Sequence, residues 1–127
     1  MMQFIKTDKA PAAIGAYAQG TRIDNTLYVS GQLPLDPQTM EQPDTIEAQT
    51  RRALENLLAI VEAAGFKKTD IVRCGIFLQN MNDFAKMNAV YGDFFKDHTP
   101  ARAAVEVSRL PKDVAIEIDG IAMKQKK

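Results

Sequence analysis

Short alternations of apolar and polar residues open the chain: QFIKT at 3–7, AYAQGTRI at 16–23 and TLYVSGQL at 26–33, the last two separated by Asp24-Asn25. A period of two bounded by turn-forming residues predicts strands, and the three together predict a meander. The next stretch, LPLDPQTMEQPD at 33–44, is rich in Pro, Asp and Gln and reads as a loop. It ends at Asp44, and Glu47 three residues on completes the spacing of a capping box with Asp in the Ser/Thr place, so a helix is expected to begin there.

From Ile46 to Ala64 the pattern changes to helical spacing, with Ala53, Leu54, Leu57, Leu58, Val61 and Ala64 on one stripe and Gly65 placed to end the helix in a left-handed cap. IVRCGIFLQ at 71–79 returns to a strand pattern. Val72, Cys74, Ile76 and Leu78 fall on one side of it, and Ile71 and Phe77 give the other side apolar character, so both faces are expected to be buried. A second helix starting near NMND at 80–83 carries Phe84, Asn88, Tyr91 and Phe95 on one stripe. Asn88 is a polar residue on that apolar stripe, and it either satisfies a neighbouring backbone group or faces a pocket.

The order is β-β-β-α-β-α-β-β in a single domain over residues 1–127, an α+β fold with both helices on one face of a mixed sheet. The uncovered face then calls for self-association into a closed homo-oligomer. Sixteen basic and sixteen acidic residues cancel, which argues against a nucleic-acid partner, since such domains carry a basic stripe. Lys124, Lys126 and Lys127 read as a solvated tail. Cys74 is the only cysteine, so an intrachain disulfide or a cysteine-based metal cluster is excluded, and it reads as a small core residue. No signal-like segment opens the chain and no run approaches the ~18 apolar residues of a membrane span, so a cytoplasmic protein without membrane contact is expected. His98, before Thr99-Pro100, reads as an exposed loop histidine.

Two strands close the chain, Ala103 to Ser108 and Asp113 to Met123, joined by RLPK at 109–112, a length suited to a hairpin. Setting Val107 opposite Val114 places Val105 opposite Ile116 and Ala103 opposite Ile118, which gathers the apolar residues on one face. Arg102, Ala104 and Glu106 then share the other face with Asp119, Glu117 and Ala115. In that register Arg102 and Glu117 are diagonal neighbours, roughly 7–8 Å apart. They either hold one small ligand between them or belong to a cross-strand ion-pair cluster. Phosphate-cradling glycine loops, a nucleophile elbow and zinc-ligand clusters are all missing from the sequence.

The blocks IGAYAQG, SGQLPLDP, EAQTRRALENLLAIVEAAG, MNDFAKMNAVYGDFF and PARAAVEVSRLPKDVAIEIDGIA resemble, in order and over nearly the whole chain, the Rid/YjgF family of reactive-intermediate imine and enamine deaminases. The resemblance implies a chorismate-mutase-like α+β fold assembled as a homotrimer, with sites in clefts between subunits. It implies that Arg102 binds the substrate carboxylate and that Glu117 handles water and protons. Tyr17, Ser30, Gly31, Asn88 and Ala104 fall at the family's pocket positions, Gly31 and Ala104 through their backbones. The family often reads P-A-R-S-C-V-E-V, so Ala103 and Ala104 replace a Ser and a Cys here, and no thiol chemistry is available at that position. Ala16 and Ala18 stand where Pro and Ser are common, with Tyr17 retained.

The activity implied is hydrolysis of 2-aminoacrylate, 2-aminocrotonate and their imine tautomers to 2-oxo acids and ammonia, without a cofactor. The planar fork of an arginine suits a carboxylate, and a glutamate can take a proton from water and return one to the leaving amine. The competing readings are a small-carboxylate sensor or chaperone-like protein without turnover, and an endoribonuclease or translation inhibitor.

Overall fold

The computed structural model describes residues 1–126; Lys127 of the expected basic tail lies outside them. Six strands, β1 (Gln3–Ile5), β2 (Gly20–Ile23), β3 (Thr26–Gln32), β4 (Ile71–Leu78), β5 (Ala101–Glu106) and β6 (Ile116–Met123), form one sheet, with helices α1 (Ile46–Ala63) and α2 (Phe84–Phe95). The strand order is β1-β2-β3-β6-β4-β5. The meander is present as expected, and every pairing is antiparallel except β4 with β5.

The anticipated hairpin between β5 and β6 does not form. Helix α2 joins β4 to β5, and a crossover of that kind returns the chain in the same direction, so β5 pairs in parallel with β4. Strand β6 then passes beyond β4 and inserts between β3 and β4. Its alternation explains the central place: Ile116, Ile118, Gly120 and Ala122 are buried while the residues between them are half-buried. Strand β5, with three alanines and only Ala104 better than exposed, has the composition of an edge. The 3₁₀ turn at Pro111–Asp113 takes up the start expected for the last strand.

α1 and α2 pack on one face of the sheet, where Leu27, Val29, Cys74, Ile76, Ile116 and Ile118 meet Leu54, Leu57, Ile60, Met87 and Phe95 in one core. The α1 stripe is as the spacing requires, and Gly65 takes the left-handed conformation (φ 86) that ends the helix. The N-cap is Thr45 rather than Asp44: its side chain accepts from the Ala48 N–H at 3.1 Å. Cys74 is a core residue, as expected. Lys124 is half-buried, its ammonium 4.7 Å from the centre of the Phe66 ring rather than free in solvent. His98 is half-buried too, with Nε2 2.7 Å from the Ile71 carbonyl oxygen.

Two bulges reset the alternation. In β4, Ile71 pairs with Ala122 and Arg73 with Ile121, so Val72 is the extra residue; Ile71 takes the core place and Val72 is exposed. In β3, Val29 pairs with Gly120 and Gln32 with Ile118, leaving Ser30 and Gly31 to share Asp119. The second face of the sheet stays open in the single chain, with Tyr28, Val105 and Met123 at about half exposure.

Buried amides hold the loop between β3 and α1. Asn56, fully buried, donates to the carbonyls of Leu33 (3.0 Å) and Leu35 (2.9 Å). Gln49 donates to the Pro43 carbonyl (2.9 Å) and accepts from the Ala115 N–H (2.8 Å), tying the same loop to the entry of β6. Replacing Asn56 by Ala leaves two carbonyls without their donor, and we expect a loss on the order of 3 kcal/mol, read as a lower urea midpoint at unchanged slope.

Candidate active site

The candidate residues separate into two groups on opposite faces of the sheet. Arg102, Ala104 and Glu106 register with Cys74, Ile76 and Leu78, the core-facing residues of β4, and therefore lie on the helix face. Glu117 registers with Phe77, and Asp119 with Gly75, on the open face. The expected diagonal contact of Arg102 with Glu117 within one chain is thus absent, because it rested on the hairpin that the parallel pairing replaces.

On the open face, the Ser30-Gly31 bulge and the loop carrying Tyr17 border a cavity of about 560 Å³ that reaches Glu117 and Lys112. The Ser30 hydroxyl donates to the Ala18 carbonyl at 2.6 Å and the Ser30 N–H to the Gln19 carbonyl at 3.0 Å, fixing the Tyr17 loop to the bulge. A Cβ built on Gly31 would fall on the Glu117 carboxylate, so only glycine lets that carboxylate lie against the bulge. The Tyr17 hydroxyl accepts from the Ile14 N–H at 3.3 Å, and the side chain is half exposed. Gln19, buried, holds the preceding segment by donating to the carbonyls of Thr7 (3.0 Å) and Pro11 (2.8 Å) and accepting from the Thr7 N–H (2.7 Å). Sequence reasoning missed Gln19; the only signal was a polar residue at the start of a strand.

Burial, and secondarily the Asp119 carboxylate, raise the Glu117 pKa above the ordinary carboxyl range. Asp119 is itself held by the Gly75 N–H, which donates to Oδ1 at 2.9 Å. A carboxyl raised in this way holds a proton more readily than an exposed one, which suits it to proton exchange.

On the helix face, Arg102 projects from the edge strand onto α2. Its Nη1 donates to Asn88 Oδ1 at 2.8 Å, and its Cζ lies 4.8 Å from the centre of the Tyr91 ring and 5.5 Å from that of Phe84. Asn88 is exposed at the rim rather than buried, and its amide oxygen accepts from the arginine rather than serving a backbone group. The ion-pair cluster anticipated among Arg102, Glu106, Glu117 and Asp119 is not formed. Ion pairs among the described residues join Arg51 to Asp93, Arg52 to Glu55 and Arg109 to Asp113, and Glu106 instead accepts from the Met81 N–H at 2.8 Å. Arg102 is therefore a cation with neutral neighbours and most of its five donors uncommitted. The Val107 N–H donates to the Leu78 carbonyl at 2.9 Å, and that parity turns the N–H groups of Arg102 and Ala104 outward to the free edge. Asp, Glu, His and Cys residues gather nowhere among the described residues into a group that could hold a metal ion, and no described helix is long and apolar enough to cross a membrane.

The α+β sheet thus carries at its edge an arginine without a carboxylate partner and, on its other face, a half-buried glutamate beside a small cavity. The family model described as Endoribonuclease L-PSP matches residues 7–124, and the chain belongs to that family, the Rid/YjgF family. It is 51% identical over 128 residues to the 2-iminobutanoate/2-iminopropanoate deaminase of Escherichia coli K12, covering 98% of this chain and 100% of that one. A RutC family protein of Pyrococcus horikoshii is 51% identical over 126 residues, with 98% and 100% covered. The solved structure of E. coli TdcF with bound serine superposes with a TM-score of 0.94 at 45% identity, covering 97% and 99% of the two chains.

The proton on Glu117 is held more tightly in the folded chain than in the unfolded one. Stability from this group is therefore full below the unfolded carboxyl pKa and is lost as pH rises through the folded value. Glu117→Gln, which mimics the protonated form, is expected to melt above wild type at neutral pH. The gap should close as pH falls through the folded pKa, checked by thermal midpoints along a pH series.

Proposed function

We propose that this chain is a cofactor-independent deaminase that hydrolyses small 2-imino acids to 2-oxo acids and ammonia. The observation that carries the reading is Arg102, a guanidinium fixed by neutral partners with no carboxylate of its own. The name of the E. coli relative and the serine held by TdcF, itself a small carboxylate, support it.

Arg102 pairs with the substrate carboxylate through parallel N–H donors and orients the adjacent C=N carbon. Ionised Glu117 accepts a proton from water as its oxygen bonds to that carbon, giving a carbinolamine. The protonated Glu117 then returns the proton to nitrogen, and as the C–N bond breaks and ammonia leaves, Glu117, ionised again, takes the hydroxyl proton and the carbonyl forms; the substrate enters as the protonated imine, so charge balances. Oxidation states do not change in any step, so no electron sink is called for.

In this proposal the active site is completed between neighbouring copies, as in a closed homotrimer. One chain supplies Arg102, Asn88 and the Ala104 N–H, and the next supplies Glu117, Tyr17, Ser30 and Gly31. The separation of the two groups onto opposite sheet faces supports it, since one small substrate cannot meet both within a single chain. The apolar side chains on the open face also favour burial against another copy. The endoribonuclease named in the family's description finds less support, because balanced charge offers no phosphate track.

Wild type should accelerate the conversion of freshly generated 2-iminobutanoate to 2-oxobutanoate, and Arg102→Ala should fall to the uncatalysed rate. Binding of 2-oxobutanoate by wild type without acceleration would instead establish a sensor. Glu117→Gln is expected to slow turnover while keeping 2-oxobutanoate binding. Refolding Arg102→Ala together with Glu117→Gln tests the sharing directly: random assortment in a cyclic assembly recreates about a quarter of intact sites. Activity restored by mixing two inactive variants supports a shared site, and no recovery overturns it.

A further inference from the structure

The edge strand sets where the Arg102 backbone lies, but it does not explain why a long exposed side chain should keep one direction. α2 supplies the explanation. Phe84, Asn88 and Tyr91 occupy successive turns of one stripe; the two rings face the guanidinium at 5.5 and 4.8 Å and the amide between them accepts one N–H at 2.8 Å. Glu106, two residues beyond Ala104 on the same face of β5, fixes the start of this helical region by accepting from the Met81 N–H. Strand and helix are therefore tied at both ends of the arginine's path.

The three α2 residues are not equivalent. Asn88 is exposed and Phe84 half-buried, so either can touch a ligand, whereas Tyr91 is only 5% exposed. Its ring is fixed from the other side by Phe95, at 4.8 Å and 54°. Its hydroxyl is sealed in the core beside the Cys74 thiol, with no partner stronger than that weak one. Tyr91 thus has one route to the site, through the guanidinium lying on its face, where the negative face of the ring attracts the cation.

We infer that Tyr91 is the positioning residue of Arg102: its ring face holds the guanidinium plane so that the free N–H donors stay aimed at a carboxylate. This rests on the reading of Arg102 as the carboxylate anchor. The hydroxyl has no part in it, since it is buried beside the Cys74 thiol and makes no hydrogen bond to the arginine. The ring alone carries the effect, which separates this role from ordinary core packing.

The test is the Kd for 2-oxobutanoate in Tyr91→Phe and Tyr91→Leu, each made with Arg102 intact and in the Arg102→Ala background, with the KM for 2-iminobutanoate read where Arg102 is intact. Tyr91→Leu should weaken 2-oxobutanoate binding and raise KM about tenfold, the scale of a partly desolvated cation–π contact. Tyr91→Phe should keep wild-type values with little change in melting temperature, because the hydroxyl removed has no partner stronger than a thiol. With Arg102→Ala, the Leu substitution should change binding no further. If Tyr91→Leu is too unstable to purify, Tyr91→Met fills the space with an unbranched side chain that has no ring face, and is read in its place. Undiminished binding in Tyr91→Leu, or an equal loss with and without Arg102, overturns the positioning role. Undiminished binding in Arg102→Ala itself overturns the anchor on which the role depends.

Discussion

The crossover through α2 is the constraint on which the candidate site depends. A helix between two strands reverses direction twice, so β5 must run parallel to β4, and the parity of that pairing turns Arg102 toward the helix layer. β6 then enters on the other side of β4 with Ile116 and Ile118 against the same layer, which leaves Glu117 on the open face. Once those two pairings are made, the arginine and the glutamate of one chain cannot share a ligand. The separation of the two residues onto opposite faces follows from strand direction rather than from any special feature of either.

Each half carries an electrostatic demand that its own chain does not meet. Arg102 is surrounded by an amide and two aromatic faces, which orient a cation without neutralising it. Glu117 is partly desolvated and faces Asp119, so its charged form is disfavoured. A carboxylate substrate between the two would answer the first demand and a proton in transit the second. These are the unfavourable features that a fold optimised for stability alone would remove.

Much of the fold was legible in the sequence because its signals are local. The α1 stripe, the left-handed Gly65, the meander and the α+β order each depend on residues within a few positions of one another. What was not legible involved distant partners. Setting Val107 opposite Val114 gathers the apolar residues on one face, yet Ala103 pairs with Gly75 and Ile118 with Ile76, and no pattern within 103–123 records the intervening β4. The bulges at Val72 and at Ser30-Gly31 change the phase of a strand by one residue, which alternation cannot anticipate. Asn56 and Gln49 are buried amides whose partners are carbonyls far along the chain, and their only mark in the sequence is a polar side chain beside an apolar stripe.

By itself, then, the sequence determined the main elements, the layer of helices on one sheet face and the family, since propensity, periodicity and motif are written in neighbouring positions. The tertiary structure alone decided which face each chemistry-bearing residue occupies. A strand's side chains alternate regardless of its partner, so the same Arg102 and Glu117 could lie together or apart. Only the pairing partner and its direction choose between the two.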